Sequence, residues 1–293
     1  MTLADGIWQQ VFSFDDYGEL LGLVRNSLIA GAALGLVGGL CGVFVVLRDL
    51  AFAVHGISEL SFAGASAALL AGADVVAGSL TGSLLAAGVL GVLGVRARDR
   101  NSTIGVLMPF GLGLGVLFLA LYHGRAANKF GLLTGQIVAV DNPRTAWLLG
   151  TSAVVLLVLA VVWRPLAFAS SDPDVATARG VPVRTLSLVF MLTLGLAVAL
   201  SVQIVGALLV LSLVVTPAAA AARVTASPVL MPLLSVVFAV VSIEGGILLA
   251  LGGSVPISPY VTTISFTLYL VCRVVGGHRV RRRGVRRPAA VAG

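Results

Sequence analysis

A succession of long apolar runs, separated by short stretches of charged and turn-forming residues, constrains this chain more than any other feature. A helix that crosses a bilayer needs ~20 mostly apolar residues, because the hydrocarbon core is ~30 Å thick. Nine runs have about this length: 26–47, 51–73, 75–95, 103–122, 144–163, 185–201, 203–222, 229–251 and 257–275. Of the 293 residues, 58% are apolar and only 11% charged, so we predict an all-α integral membrane protein with about nine transmembrane helices.

The runs leave no room for a sizeable water-soluble domain. We expect an acidic segment at 1–24, a membrane domain at 25–276 and a basic tail at 277–293. Residues 1–19 carry four acidic side chains and no basic one, the opposite of a signal peptide, so the first run is predicted to be retained. A further apolar run, 130–140, is too short to cross and is predicted to be re-entrant or interfacial.

Basic residues predict the orientation of the chain. If the arginine-rich tail is cytoplasmic, nine crossings place the amino terminus outside the cell. Fifteen of the 19 basic residues then lie inside and four outside, as the positive-inside rule requires. The six arginines of the tail account for most of the net charge of +7. Because they follow a final apolar run, they are predicted to contact anionic lipid and not nucleic acid.

The second run carries the sharpest chemical signal, the pair His55 and Glu59. Four residues apart on a helix, they share a face with Ser58 nearby, and Glu59 lies near the middle of the membrane. An imidazole and a carboxylate offer one nitrogen and one oxygen ligand, a mixture that suits zinc, iron or manganese. A plain hydrogen bond between the two side chains, or from each to a neighbouring helix, would satisfy them equally well without a metal.

Glu59 and Glu244 are the two acidic residues inside the predicted spans, where an ionised carboxylate is costly unless paired or hydrated. Glu244 stands alone in its span, and we interpret it as an interhelical hydrogen-bonding group in preference to a pathway residue. Gln203 is a further polar side chain predicted to lie within the membrane.

A polar stretch between the fifth and sixth runs, about 170–181, has the marks of one short cytoplasmic helix. Asp172 can cap its start, Pro173 suits its first turn and Gly180 can end it. From these residues alone, a simple connector is the expected role.

Several segments, in chain order, resemble the permeases of metal-ion ABC importers across most of residues 25–275. The first span ends in a glycine to leucine-arginine segment, 42–48, and the second carries a His-x-x-x-Glu version of the family's Asp-Ala-x-Ser-His motif. The stretch Asp172 to Gly180 is similar to the family's Asp-x-x-x-Ala-x-x-x-Gly element. Gln-x-Val-Gly at 203–206 and Pro-Ala-Ala-x-Ala at 217–221 complete the resemblance.

The resemblance implies a fold similar to vitamin B12 and siderophore permeases, in the cell membrane. It implies two permease copies, most simply a homodimer, with cytoplasmic ATPases and an extracellular metal-binding protein. It makes the 170–181 helix the element that docks in the ATPase, with these contact residues: Asp172, Asp174, Ala176, Arg179 and Gly180. His55 and Glu59 stand where members have Asp and His, so a nitrogen and a carboxylate ligand are kept in reversed order.

The sequence therefore predicts the membrane-spanning subunit of an ATP-driven importer of divalent metal, zinc first, then manganese or iron. The metal is substrate, and no resident cofactor is expected. The single lysine, Lys129, does not fit a phosphate-binding loop, so ATP hydrolysis is expected on another chain. A proton-coupled metal transporter and an ABC permease for a metal chelate are the alternatives.

Overall fold

The structure, a computed structural model, describes residues 24–93, 97–124, 132, 142–207, 210–251 and 256–284. Residues 1–23 of the predicted acidic segment 1–24, nearly all of the short run 130–140 and the end of the tail, 285–293, lie outside the described residues. The helices in chain order are α1 Arg25–Leu47, α2 Ala51–Ala71, α3 Val75–Leu93, α4 Ala97–Leu121, α5 Asn142–Ser171, α6 Pro173–Ala178, α7 Val183–Val205, α8 Val210–Val214, α9 Thr216–Val224, α10 Leu230–Leu251 and α11 Ile257–Gly284.

Eight of these helices are long and apolar enough to cross a membrane: α1 to α5, α7, α10 and α11. Helices satisfy their own backbone hydrogen bonds, which lipid cannot do, and the apolar runs therefore fold in this way. The predicted all-α membrane fold is confirmed.

The seventh apolar run differs from the straight helix that the sequence predicts. Gly206 has φ 88° and ψ 157°, which ends α7, and the run continues as the short helices α8 and α9. Only glycine adopts such a conformation without strain. Pro217 then forms the first turn of α9, where its missing N–H is no loss.

This broken segment nevertheless lies alongside α11. The hydroxyl of Ser258, at the start of α11, donates to the Val205 carbonyl at 2.7 Å, and that of Ser265 donates to the Ser212 carbonyl at 2.7 Å. Further along, the guanidinium of Arg223 donates to the hydroxyl of Tyr269 at 3.2 Å. Because the partners advance together along α11, the segment runs beside this span-length helix, as expected for the predicted seventh crossing.

The bundle has central and peripheral helices. In the most apolar stretches of α1 and α7, 67% of the residues are buried, against 22% in α4. The exposed side chains of the outer helices are large and apolar, among them Phe110, Leu157 and Val161. Such a surface is stable in hydrocarbon and not in water.

Glycines let α2 and α3 approach closely. A methyl group at Gly82 of α3 would meet the backbone carbonyl of Leu60, and one at Gly64 of α2 would meet the backbone of Gly78. Small residues at such crossings allow the dispersion contacts that hold helices together in lipid.

Gly82→Ala should destabilise the protein, because backbone atoms cannot rotate away as a side chain can. We expect a loss of about 1–3 kcal/mol, the usual cost of overpacking. Gly88→Ala, on the same helix with open space around it, is the matched control. Thermal unfolding in detergent should show a lower midpoint for Gly82→Ala alone, and equal midpoints would contradict this packing.

Candidate functional site

Helix α2 is held in the interior of the bundle, and its residues are among the most buried in the protein. Gly111 of α4 packs directly on the backbone of Glu59 and Leu60, while Ser61 hydrogen-bonds across to Ser79 of α3. The backbone around Glu59 is therefore fixed from two sides, which suits a site that must present side chains in one geometry.

His55 and Glu59 face each other on α2, as their spacing predicts. The distance from His55 Nε2 to Glu59 Oε1 is 3.5 Å, longer than a normal hydrogen bond between these groups. The His55 side chain is 27% exposed and that of Glu59 only 4%, so the pair runs from the surface of the chain into its interior. The second carboxylate oxygen, Glu59 Oε2, is buried without a hydrogen-bond partner in the described part of the chain.

This geometry leaves ligand capacity unused. A pair locked in a short hydrogen bond would have no need of a further partner, whereas here the contact is long and one oxygen is unengaged. A cation placed between the imidazole and the carboxylate would satisfy both groups.

Ser58 links α2 to the break in the seventh crossing. Its hydroxyl, fully buried, donates to the Ala207 carbonyl at 2.6 Å. Ala207 directly follows Gly206, where the regular helix ends. Irregular backbone at membrane depth is tolerated where protein surrounds it or where it lines a cavity, and here it packs one residue from Glu59.

The sequence predicts a boundary between the sixth and seventh runs at residue 202, and the structure ends α7 at Val205, just before Gly206. The division of the seventh run into α8 and α9 was not predicted. Gly206 and the pair Thr216 and Pro217 were the available signals, but the residues between them are apolar enough to predict a continuous span. The predicted polar residue Gln203 lies one turn before the break, in α7, and both of its amide atoms are buried without a partner among the described residues.

No contact among the described residues joins Glu244 to His55 or Glu59. It lies in α10, where its Oε1 atom faces Gly31 of α1 and has no hydrogen-bond partner in the described ranges. Its predicted role as an interhelical hydrogen-bonding group stays a prediction.

A single copy of the chain offers few ligands to one ion. Within the described ranges, no three His, Cys, Asp or Glu side chains lie close enough together to hold a metal. Metals of this kind usually take four or more ligands. The His55 and Glu59 pair is thus half of a typical site at most, and its partly exposed imidazole is where further ligands could enter.

The short helix α6 lies within the predicted stretch 170–181. Asp172 Oδ1 accepts a hydrogen bond from the Val175 N–H at 3.0 Å, and Asp174 lies in the acidic first turn. Arg179 is the C-cap, and Gly180 has a positive φ of 80°, which turns the chain toward α7. Caps of this kind let so short a helix persist without packing on both sides.

The two faces of α6 differ. Ala176 is completely buried against the bundle, and the Val181 N–H donates to its carbonyl at 3.0 Å. Val175, in contrast, is 44% exposed on a polar connection outside the apolar spans. The exposed face of α6 therefore carries Val175 next to Asp174, with the charged Arg179 at the C-terminal end of the helix.

Eight span-length helices among the described residues, a broken helix beside the His55 and Glu59 pair, and a capped helix in a polar connection are the features of a multi-pass membrane transport protein. Residues 21–276 match the model of the ABC 3 transport family. The chain belongs to this family, as the motifs of the second span, of α6 and of the seventh crossing predicted.

Named relatives carry metal-transport descriptions. The "Manganese transport system membrane protein MntC" of Halalkalibacterium halodurans is 28% identical over 247 residues, covering 84% of this chain and 85% of the relative. The "High-affinity zinc uptake system membrane protein ZnuB" of Haemophilus influenzae is 24% identical over 246 residues, covering 84% of this chain and 94% of the relative.

Solved structures show the same architecture. The structure of PsaBC from Streptococcus pneumoniae in complex with Fab matches with a TM-score of 0.77 and 25% identity, covering 87% of this chain and 95% of that one. An inward-facing metal-chelate type ABC transporter matches with a TM-score of 0.67 at 18% identity, covering 92% and 94%, and shows the fold alone.

Proposed function

We propose that this chain is the membrane-spanning subunit of an ATP-driven importer of a divalent transition-metal ion, in which His55 and Glu59 contact the passing ion. One observation supports this above all others: in a chain of the ABC 3 transport family, an imidazole and a carboxylate lie side by side on an interior helix, with one carboxylate oxygen unengaged. Buried ionisable groups in membranes are costly, and they mark ion pathways and proton relays.

Manganese is the ion that we propose to test first. The sequence analysis places zinc first and manganese second, but relatives described as manganese transporters from several bacteria favour manganese, with zinc second. A nitrogen and a carboxylate oxygen bind either ion, because selectivity among these metals depends on geometry and availability more than on affinity order.

The transport path requires a second copy. Two chains related by a twofold axis would each supply one histidine and one glutamate, giving four ligands around a central path. We propose that α6 docks in a cytoplasmic ATPase and that a metal-binding protein delivers the ion from outside. The amino terminus is then outside the cell and the basic tail in the cytoplasm.

Reconstitution into vesicles tests this proposal. The chain is assembled with its ATPase and binding protein in sealed vesicles, and uptake of radioactive manganese is measured with and without ATP, with and without a proton ionophore. ATP-dependent uptake that survives the ionophore is expected. Uptake driven by a proton gradient without ATP would contradict the proposal and favour a secondary transporter, and uptake of a metal chelate but not of the free ion would favour a chelate permease.

A further inference from the structure

A cluster of aromatic side chains joins three helices near one end of the bundle. Phe44 of α1 meets the ring of Trp163 of α5 edge to face, with centroids 4.8 Å apart and an interplanar angle of 72°. On its other side, Phe44 meets Phe190 of α7 at 5.6 Å and 66°. Phe44 and Phe190 are almost completely buried, at 1% and 0% exposure, so these contacts are not surface encounters. Aromatic pairs in this geometry attract each other beyond their buried area.

Arg48 fastens the end of α1 to the same cluster. It is the C-cap residue of α1, and its guanidinium donates a hydrogen bond to the hydroxyl of Ser187 on α7. The guanidinium also lies 5.8 Å from the centre of the Phe190 ring, within the range of a cation–π contact. The planar guanidinium can stack on the ring while it donates to the hydroxyl, a geometry that the compact lysine ammonium does not reproduce.

Two of the helices in this cluster are joined directly to α6. Helices α5 and α7 are the two that flank α6, with only Asp172 before it and residues 179–182 after it. A displacement of α6 therefore acts directly on the adjacent ends of α5 and α7, about two helical turns from Trp163 and Phe190. Packed interiors transmit such displacements, because they have little free volume to absorb them.

On the other side of the cluster, α1 leads directly into the helix of the candidate site. Only Arg48, Asp49 and Leu50 separate α1 from α2. Asp49 has a positive φ of 53°, and the Leu50 N–H donates to the Val45 carbonyl at 2.8 Å. The link is short and hydrogen-bonded, so α2 follows the end of α1.

We propose that Phe44, Arg48, Trp163 and Phe190, the relay cluster, transmit the movement of α6 to α2 and so couple ATP hydrolysis to access at His55 and Glu59. This inference rests on the proposed function. It assigns Arg48 and the three rings a positioning role that neither the motif resemblance nor the spacing of the residues indicates.

The test uses Arg48→Lys and Phe190→Leu in the complete transporter, with its ATPase and binding protein, in vesicles. Arg48→Lys keeps the positive charge but removes the forked guanidinium contact. Phe190→Leu keeps an apolar side chain but removes the aromatic ring. ATP hydrolysis and manganese uptake are measured on the same vesicles, and their ratio is the readout. We expect hydrolysis to continue and manganese imported per ATP to fall roughly tenfold, the order of change known for residues that carry coupling.

The matched control is Arg223→Lys. Arg223 makes the same kind of contact, with its guanidinium 5.8 Å from the ring of Tyr269 and a hydrogen bond to the Tyr269 hydroxyl. It joins α9 to α11, neither of which flanks α6. Its ratio of manganese to ATP should equal that of the wild type.

The outcomes separate the two proposals. If hydrolysis and uptake fall in proportion in Arg48→Lys and Phe190→Leu, the cluster is structural only and the relay is wrong. The relay is also wrong if both variants keep wild-type hydrolysis and uptake. An equal fall in manganese imported per ATP in Arg223→Lys would overturn it as well. A wild type that imports no manganese with ATP overturns the proposed function itself, and that result is seen before any variant is compared.

Discussion

Replacing both His55 and Glu59 by alanine should reduce ATP-dependent manganese uptake by about a hundredfold or more. Loss of outer-shell partners alone typically costs 10- to 100-fold in metal affinity or activity, so loss of two direct ligands should cost at least as much. Assembly should survive, because the two side chains contact each other at 3.5 Å and leave Glu59 Oε2 without a partner in the described structure. Uptake into vesicles, normalised to the amount of assembled complex, is the measurement.

Two controls make this prediction specific. His123→Ala removes an imidazole at the end of α4, outside the apolar spans, and should leave uptake unchanged. Glu59→Gln keeps the size of the side chain but removes the anionic oxygen, and its uptake should fall nearly as far as that of Glu59→Ala. Normal uptake in the double alanine variant would remove the pair from the ion path.

Val175→Asp should weaken docking of the ATPase about 30-fold while leaving the membrane bundle folded. Val175 is the exposed apolar side chain of α6, and a carboxylate beside Asp174 would both repel acidic partners and resist burial in an interface. Loss of one side-chain contact at an interface hot spot reduces the binding free energy by 2 kcal/mol or more, which is about a 30-fold loss of affinity. Co-purification of the ATPase with the tagged chain measures the effect.

Val229→Asp is the control for this variant. Val229 is 77% exposed, precedes α10 and lies on the same predicted side of the membrane as α6. An identical new charge there should leave the ATPase bound. If both variants lose the ATPase, or if neither does, α6 is not the specific docking element.

The apolar runs predicted the helices well. Lipid offers no hydrogen bonds to the backbone, so a stretch of about 20 apolar residues must satisfy its own backbone groups, and a helix does this. The capped form of α6 could likewise be read from Asp172, Pro173 and Gly180, whose backbone preferences are local. The broken seventh crossing was less accessible, since Gly206 and Pro217 bracket a segment whose composition matches that of every other span.

The contacts between helices could not be predicted. In a chain that is 58% apolar, no residue pattern shows which faces meet, so nothing in the spacing placed Phe44 between Trp163 and Phe190 or Ser58 against the Ala207 carbonyl. The pair on α2 was predictable because its members are four residues apart on one helix. Their open geometry, with a long contact and an unengaged oxygen, could be seen only in the structure.

The most direct measurement is an experimental structure of the assembled transporter with manganese bound, with anomalous scattering recorded at the manganese edge. We expect an anomalous peak within about 2.0–2.3 Å of the His55 imidazole nitrogen and a Glu59 carboxylate oxygen, between two copies of the chain. A peak elsewhere in the membrane, with His55 and Glu59 facing lipid or joined only to each other, would contradict it.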